Sequence, residues 1–261
     1  MNLTAEQILG NWEVFNQNIK TYITGERQKQ LLLFYKKYED RITLMPASHK
    51  KEYHNSFPGG YVEHVNRVVD ASLQLYKVWE HFGSDMTLFT QEELVFSAIN
   101  HDLGKLGDDE HESYIPQTDQ WRKEKLGEDY TFNTKLAFAS VPDRGLFLLQ
   151  SNNIKYTFNE MIAIQTHDGL YDEGNKKYLM GYAVEQKFRN SLPLILHQAD
   201  MLAARVEFET EWLPKFRGEV QNRVPVTTQG HTLGVNSKPS TKSRALNSIS
   251  SPGLKSMLDS I

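Results

Sequence analysis

Apolar positions in the first 45 residues recur at helical spacing. Ile8, Leu9, Trp12 and Phe15 follow Thr4, a residue suited to N-capping, and Leu31, Leu32, Phe34 and Tyr35 follow Gly25. The pattern predicts a pair of helices over 1–45 packed on the core. Pro46, Pro58 and Gly59-Gly60 interrupt it and predict an ordered loop feeding the next helix. Helical periodicity returns from about Tyr61 to Phe82 and from Glu92 to Lys105, and again over Lys135–Gln150, Phe158–His167 and Leu192–Glu211. Between Gly107 and Asn133 periodic apolar positions are few, so 107–133 is expected to be an insertion or lid. No run alternates as a strand would, and the expected fold class is all-α. The main domain is expected over 46–216. Beyond it apolar residues thin out and residues 227–251 are rich in Ser, Thr, Lys, Asn, Gly and Pro, so 217–261 is expected to be a flexible tail. Leu254, Met257, Leu258 and Ile261 close that tail at helical spacing, a pattern that suits partner docking as well as it suits a fraying end.

Composition narrows the chemistry. With 39% hydrophobic residues the chain can bury a core, and 29 Lys+Arg against 33 Asp+Glu give a net charge of −4, which provides no basic field for long nucleic acids. The absence of cysteine excludes disulfides, thiolate metal ligands and a cysteine nucleophile. Any metal chemistry must use His and carboxylates. The start MNLTAEQILGNWEVF lacks the basic and continuously apolar segments of a signal peptide, and no apolar run reaches membrane-spanning length, so a cytoplasmic protein without membrane contact is expected.

Three segments carry metal-type residues into apolar helix faces. His64 shares a face with Tyr61, Val68, Ala71 and Leu75; alone, it reads more readily as a core histidine bonded to a backbone carbonyl than as a ligand. In FSAINHDLGKLGD, the adjacent His101 and Asp102 lie three and four residues beyond Ala98 and point inward together. Asp200, in LPLILHQADMLAARVE, lies four residues after Leu196 and three before Ala203. Burying an ionised carboxylate costs several kcal/mol unless a cation, a basic partner or a helix N-terminus compensates it. One divalent cation (Mg, Mn, Fe, Co or Zn) would satisfy His64, His101, Asp102 and Asp200 together.

His64, then His101-Asp102 followed by Leu-Gly-Lys, then a distant Asp200, resembles the H…HD…D signature of the HD-domain metal-dependent phosphohydrolases, over about Tyr53 to Glu207. The segment GGYVEH is similar to the GG-apolar-apolar-EH stretch of the subgroup that includes bacterial 3′–5′ exoribonucleases. The resemblance implies a helical bundle, a divalent metal at those four residues, and hydrolysis of a phosphoester in a nucleotide-like substrate. It leaves the substrate open.

Other residues have two readings each. Lys105 at the end of HDLGK is placed to meet a phosphate oxygen, or is a solvated helix-end charge. His167 sits at a helix end closed by Gly169, where the resemblance implies that it binds a second metal or contacts substrate phosphate, and where the local alternative is that it simply complements the helix dipole. Asp168 could orient an imidazole or cap a turn. Arg144 suits bidentate phosphate binding, or a surface salt bridge. His54 in HNSFPGG approaches a metal-bound water or the substrate, or fixes its own loop. His197, three residues before Asp200, can face the same cavity and reads either as a support behind a ligand or as a structural residue, so it is left outside the ligand set. Tyr114, Trp121, Arg122, Lys123, Lys125 and Tyr130 mix aromatics with cations in the lid. The leading expectation is an enzyme hydrolysing a small nucleotide, with Asp102, Lys105 and His167 as catalytic residues and Arg144 and His54 holding substrate. The alternatives are a 3′–5′ exonuclease acting on short single strands and a catalytically idle scaffold that binds a nucleotide or a protein.

Overall fold

Thr4 Oγ1 accepts the Gln7 backbone N–H while Gln7 Oε1 accepts that of Thr4, and this reciprocal cap starts α1 (Ala5–Tyr22). The computed structural model describes residues 3–50 and 54–217, so nearly all of the expected tail lies outside the described residues. Helix α2 (Gly25–Lys37) and the single turn α3 (Glu39–Ile42) follow α1. Phe15, Ile19, Leu31 and Tyr35 are fully buried in the same apolar cluster as Val65, Val68, Leu94, Ile99 and Leu196. Burial of a side chain such as Phe15 or Ile19 contributes about 1.5–3 kcal/mol. The N-terminal helices are therefore part of the core.

Helix α4 (Gly60–His81) begins where the Gly59-Gly60 pair allows close packing: Gly59 has φ +83°, and a Cβ on Gly60 would lie 2.1 Å from Asn55 O. Helix α5 (Gln91–Asn100) opens on a second reciprocal cap, Thr90 with Glu93. It ends at Asn100, five residues before the expected Lys105. Asp102 leaves helical geometry (φ −101°, ψ 11°), and Leu103–Leu106 tighten into a 3₁₀ turn. The reason is tertiary: Gly104 is pressed against the next long helix, and a Cβ there would lie 2.0 Å from Val141 O.

The insertion does contain strands. β1 (Tyr114–Pro116) pairs antiparallel with β2 (Tyr130–Phe132), Ile115 opposite Thr131, with helix α6 (Gln120–Leu126) between them. Three residues per strand are too few to display an alternating pattern. Helix α7 (Val141–Ser151) starts later than the expected Lys135, because Ser140 caps it and Pro142 fits only a first turn. Then come α8 (Phe158–Thr166), capped by Thr157 and Glu160, the short α9 (Lys176–Leu179), and α10 (Leu192–Glu207). α10 loosens into a π-turn over Phe208–Trp212 before α11 (Leu213–Phe216), rather than running unbroken to Glu211. α4 packs most extensively on α10, and α5 and α8 close the bundle around them. No described helix is long and apolar enough to cross a membrane.

Candidate metal centre

The four expected ligands converge. His64 lies one turn into α4, Asp200 in the middle of α10, and His101-Asp102 directly beyond the C-terminus of α5. The C-terminus of α8 adds His167, followed by Asp168. His64, His101 and His167 are fully buried or nearly so, and Asp102 is only slightly exposed. Two helices thus end at the cluster with their carbonyl poles, which favours positive charge there.

His64 Nε2 lies 3.1 Å from Asp200 Oδ1 and 3.8 Å from Asp102 Oδ2; His101 Nε2 lies 3.5 Å from Asp102 Oδ2 and 3.8 Å from Asp200 Oδ1. His167 Nε2 lies 3.6 Å from both Asp102 Oδ1 and Asp168 Oδ2. Ligand atoms held at about 2.1 Å from one ion stand about 3.0–3.4 Å apart at angles of roughly 90–110°. The His64–Asp200 spacing of 3.1 Å falls in that range, and the others, 3.5–3.8 Å, lie just above it. His101 Nδ1 meets Ala98 O and His167 Nδ1 meets Ile164 O, each at 2.7 Å. A carbonyl only accepts, so both Nδ1 atoms carry the proton in the neutral rings and both Nε2 atoms present lone pairs to the carboxylates. The buried Nε2 atoms of His64 and His101 find no aligned hydrogen-bond partner among the described residues. Unpaired buried acceptors beside carboxylates fit a cation. These buried His and Asp groups could hold a metal ion: donor atoms of His64, His101 and Asp200, and of His101, Asp102 and His167, lie within 4.8 Å of one another. Further sets of the same size include His54 with His64 and Asp102, and Asp168 with His167 and Asp200.

The electrostatics agree. Burial opposes charge on His64, but Glu207 and Asp200 beside it push its imidazole up to about 10. Burial likewise opposes charge on His167, yet Asp168, Asp102 and Asp200 push it up to about 9. Burial would raise Asp102, but Lys105 and His101 hold it well below the usual carboxylate range, and His64, His101 and His167 do the same for Asp200. The cluster is therefore a well of negative potential that retains protons in the absence of a metal, and a metal would displace them.

The supporting residues divide. Lys105 is largely buried and its Nζ lies 2.5 Å from Asp102 Oδ2; burial opposes its charge, but Asp102 keeps the ammonium above the ordinary lysine range. It is a partner of the cluster, not a solvated helix-end charge. The His54 ring lies tilted against that of His64 with centroids 4.7 Å apart, its buried Nε2 has no hydrogen-bond partner among the described residues, and burial and the neighbouring His64 lower it to about 4. His197 Nδ1 donates to His167 O at 2.7 Å, and its ring fills the space a Cβ on Gly169 would need. It supports the loop that follows His167. Arg144 donates to Ala137 O, and no described contact brings it to the cluster. His111 pairs with Asp108 in the insertion. Tyr114 of β1 is within electrostatic reach of Lys105, Asp102 and Asp168, whereas Trp121 on α6 is exposed.

Two residues absent from the sequence reading stand behind His64. Glu207, fully buried on α10, holds His64 Nδ1 at 3.1 Å and Arg67 Nη1 at 2.7 Å. Glu207 follows Asp200 by two helical turns and Arg67 follows His64 by three residues, so face periodicity was the available signal. A cleft of about 470 Å³ lies at the far end of α4 and is lined by residues such as Trp79, Tyr178, Lys187 and Phe188. None of the cluster residues lines it. No protein-family model, curated protein or solved structure matches the chain.

Proposed function

We propose that the protein is a metal-dependent phosphohydrolase of the HD type, cleaving a phosphoester or phosphoanhydride of a small nucleotide. The observation that carries this reading is the convergence of three imidazole Nε2 atoms with the Asp102 and Asp200 carboxylates, in the chain order H…HD…D. His64, His101, Asp102 and Asp200 would hold the cation, and His167 and Asp168 stand at its border. Three imidazoles beside two carboxylates suit Mn²⁺, Fe²⁺, Co²⁺ or Zn²⁺ better than Mg²⁺. When bound, such an ion supplies Lewis acidity toward a phosphoryl oxygen and lowers the pKa of a coordinated water.

The chain's own groups supply the rest. Lys105 keeps a permanent ammonium beside Asp102, where it would offset charge on a phosphoryl oxygen. His54, neutral at physiological pH, offers a buried Nε2 that can accept a proton. Tyr114, on β1 and within electrostatic reach of Lys105 and Asp102, would offer a hydroxyl to the substrate. Arg144 has no part in this reading, since its guanidinium is engaged elsewhere.

The test is a hydrolysis screen over nucleoside mono-, di- and triphosphates, cyclic nucleotides and short oligonucleotides, each with Mn²⁺, Co²⁺, Zn²⁺ and Mg²⁺. Metal-dependent release of product that disappears in Asp200→Ala is expected. Stoichiometric metal uptake with no turnover on any substrate overturns the enzymatic reading in favour of a binding scaffold, and preference for oligonucleotides identifies an exonuclease.

A further inference from the structure

The three imidazoles of the cluster are not oriented in the same way. His101 and His167 stand just beyond helix ends, and their Nδ1 atoms reach backbone carbonyls within their own helices. His64 lies inside α4 and instead sets its Nδ1 3.1 and 3.2 Å from the two carboxylate oxygens of Glu207. Glu207 comes from α10, the helix that supplies Asp200, and its side chain is fully buried.

A buried carboxylate persists only where it is paired. Arg67 Nη1 lies 2.7 Å from Glu207 Oε1 as an ion pair without hydrogen-bond alignment, and Arg67 Nη2 lies 3.6 Å from Glu63 Oε1, so a chain of alternating charge runs from the surface side of α4 to the back of His64. Burial would raise Glu207, but His64, His54 and Arg67 hold it below the usual range, so it stands as an anion. A carboxylate behind an imidazole fixes the proton on Nδ1, aims Nε2 forward and makes the ring a stronger donor.

We infer that Glu207, braced by Arg67, is a positioning residue that locks His64 into the Nδ1–H form with Nε2 aimed at the metal. The inference rests on the metal reading of the cluster. It joins two helices through one ligand: α10 supplies Asp200 from one side and the orienting carboxylate of His64 from the other.

The experiment uses the full chain, Zn²⁺ titrations by calorimetry, and ¹⁵N spectra of the histidine rings in the Zn²⁺-loaded and metal-free protein. Two variants separate the possibilities. Glu207→Gln keeps the shape and removes the charge; Glu207→Asp keeps the charge for Arg67 but withdraws it from Nδ1. Both are expected to bind Zn²⁺ about 10- to 100-fold more weakly than the wild type. Spectra of the metal-free variants, recorded at a pH where the wild-type His64 ring is neutral, are expected to show His64 populating the Nε2–H form, a change that a merely structural strut would not produce. Wild-type affinity in either folded variant overturns the inference, and so does unchanged His64 tautomer, or a failure of both variants to fold, which would make Glu207 a strut. Absence of Zn²⁺ uptake by the wild type fails the metal reading itself, and is distinguished because the wild type is measured first.

Discussion

Replacing Asp102 by Asn removes one negative charge while keeping the side chain's shape, and two separate losses should follow. In the metal-free protein, Lys105 Nζ lies 2.5 Å from Asp102 Oδ2, with only 12% of the lysine side chain and 6% of the aspartate exposed. Removing one partner of a buried pair costs about 3–5 kcal/mol. Residual access of water to Nζ places the expected cost at the lower end, about 3 kcal/mol. In a chain of this size each kcal/mol moves Tm by about 2–4 °C, so the metal-free variant should melt roughly 6–12 °C lower. The second loss is of ligand-linked stability: at a free metal concentration of 100 Kd, binding stabilises the wild type by about 2.7 kcal/mol, and the variant should gain almost none of this. Thermal unfolding by circular dichroism, after chelation and again with Mn²⁺ or Zn²⁺, measures both. Asp102→Asn combined with Lys105→Met removes both charges, and should recover much of the metal-free Tm without recovering the metal-induced shift. A single variant that melts with the wild type after chelation would refute the buried pair. One that keeps the full metal-induced shift would refute Asp102 as a ligand.

Gly104→Ala should destabilise the protein by about 1–3 kcal/mol, because the new methyl would lie 2.0 Å from Val141 O and α7 must shift; denaturant unfolding checks this, and an unchanged midpoint would contradict the packing argument. Arg27→Leu should destabilise in a pH-dependent manner. Arg27 grips both oxygens of the fully buried Glu160 at 2.7 and 2.9 Å, yet burial outweighs it and pushes Glu160 up to about 7. Without Arg27 the folded-state value moves higher still, while the unfolded value stays near about 4.3. The folded variant then binds more protons than the unfolded chain, so its stability falls as pH rises above that unfolded value. The pH-dependent deficit relative to wild type should be small near pH 5 and reach about 1.4 kcal/mol by pH 8, because each pH unit above the wild-type value of about 7 adds at most about 1.36 kcal/mol. A deficit independent of pH would show that Glu160 does not feel the loss.

Much of the helical framework was legible because it depends on local periodicity and capping. The spans of α1, α2, α4, α8 and most of α10 follow from apolar faces, and Thr4, Thr90 and Thr157 with Gln7, Glu93 and Glu160 three residues later mark helix starts by a contact within one turn. The same spacing placed His64 and Asp200 on the inward faces of α4 and α10, while His101 and Asp102 follow buried Ala98 inward just beyond the end of α5. What periodicity could not supply was anything decided between elements. α5 stops at Asn100 because Gly104 packs on Val141, and the short strands exist only as each other's partners. Lys105 turns to Asp102, Arg144 turns away to Ala137 O, and Glu207 closes on His64 across 143 residues of sequence. A side chain's inward direction is set by its own helix, but the identity of the group it meets depends on how the helices cross. The inward carboxylates and imidazoles were therefore determined by sequence alone, and their assembly into one cluster, with Glu207 and Arg67 behind it, was decided by the packing of α4 against α10.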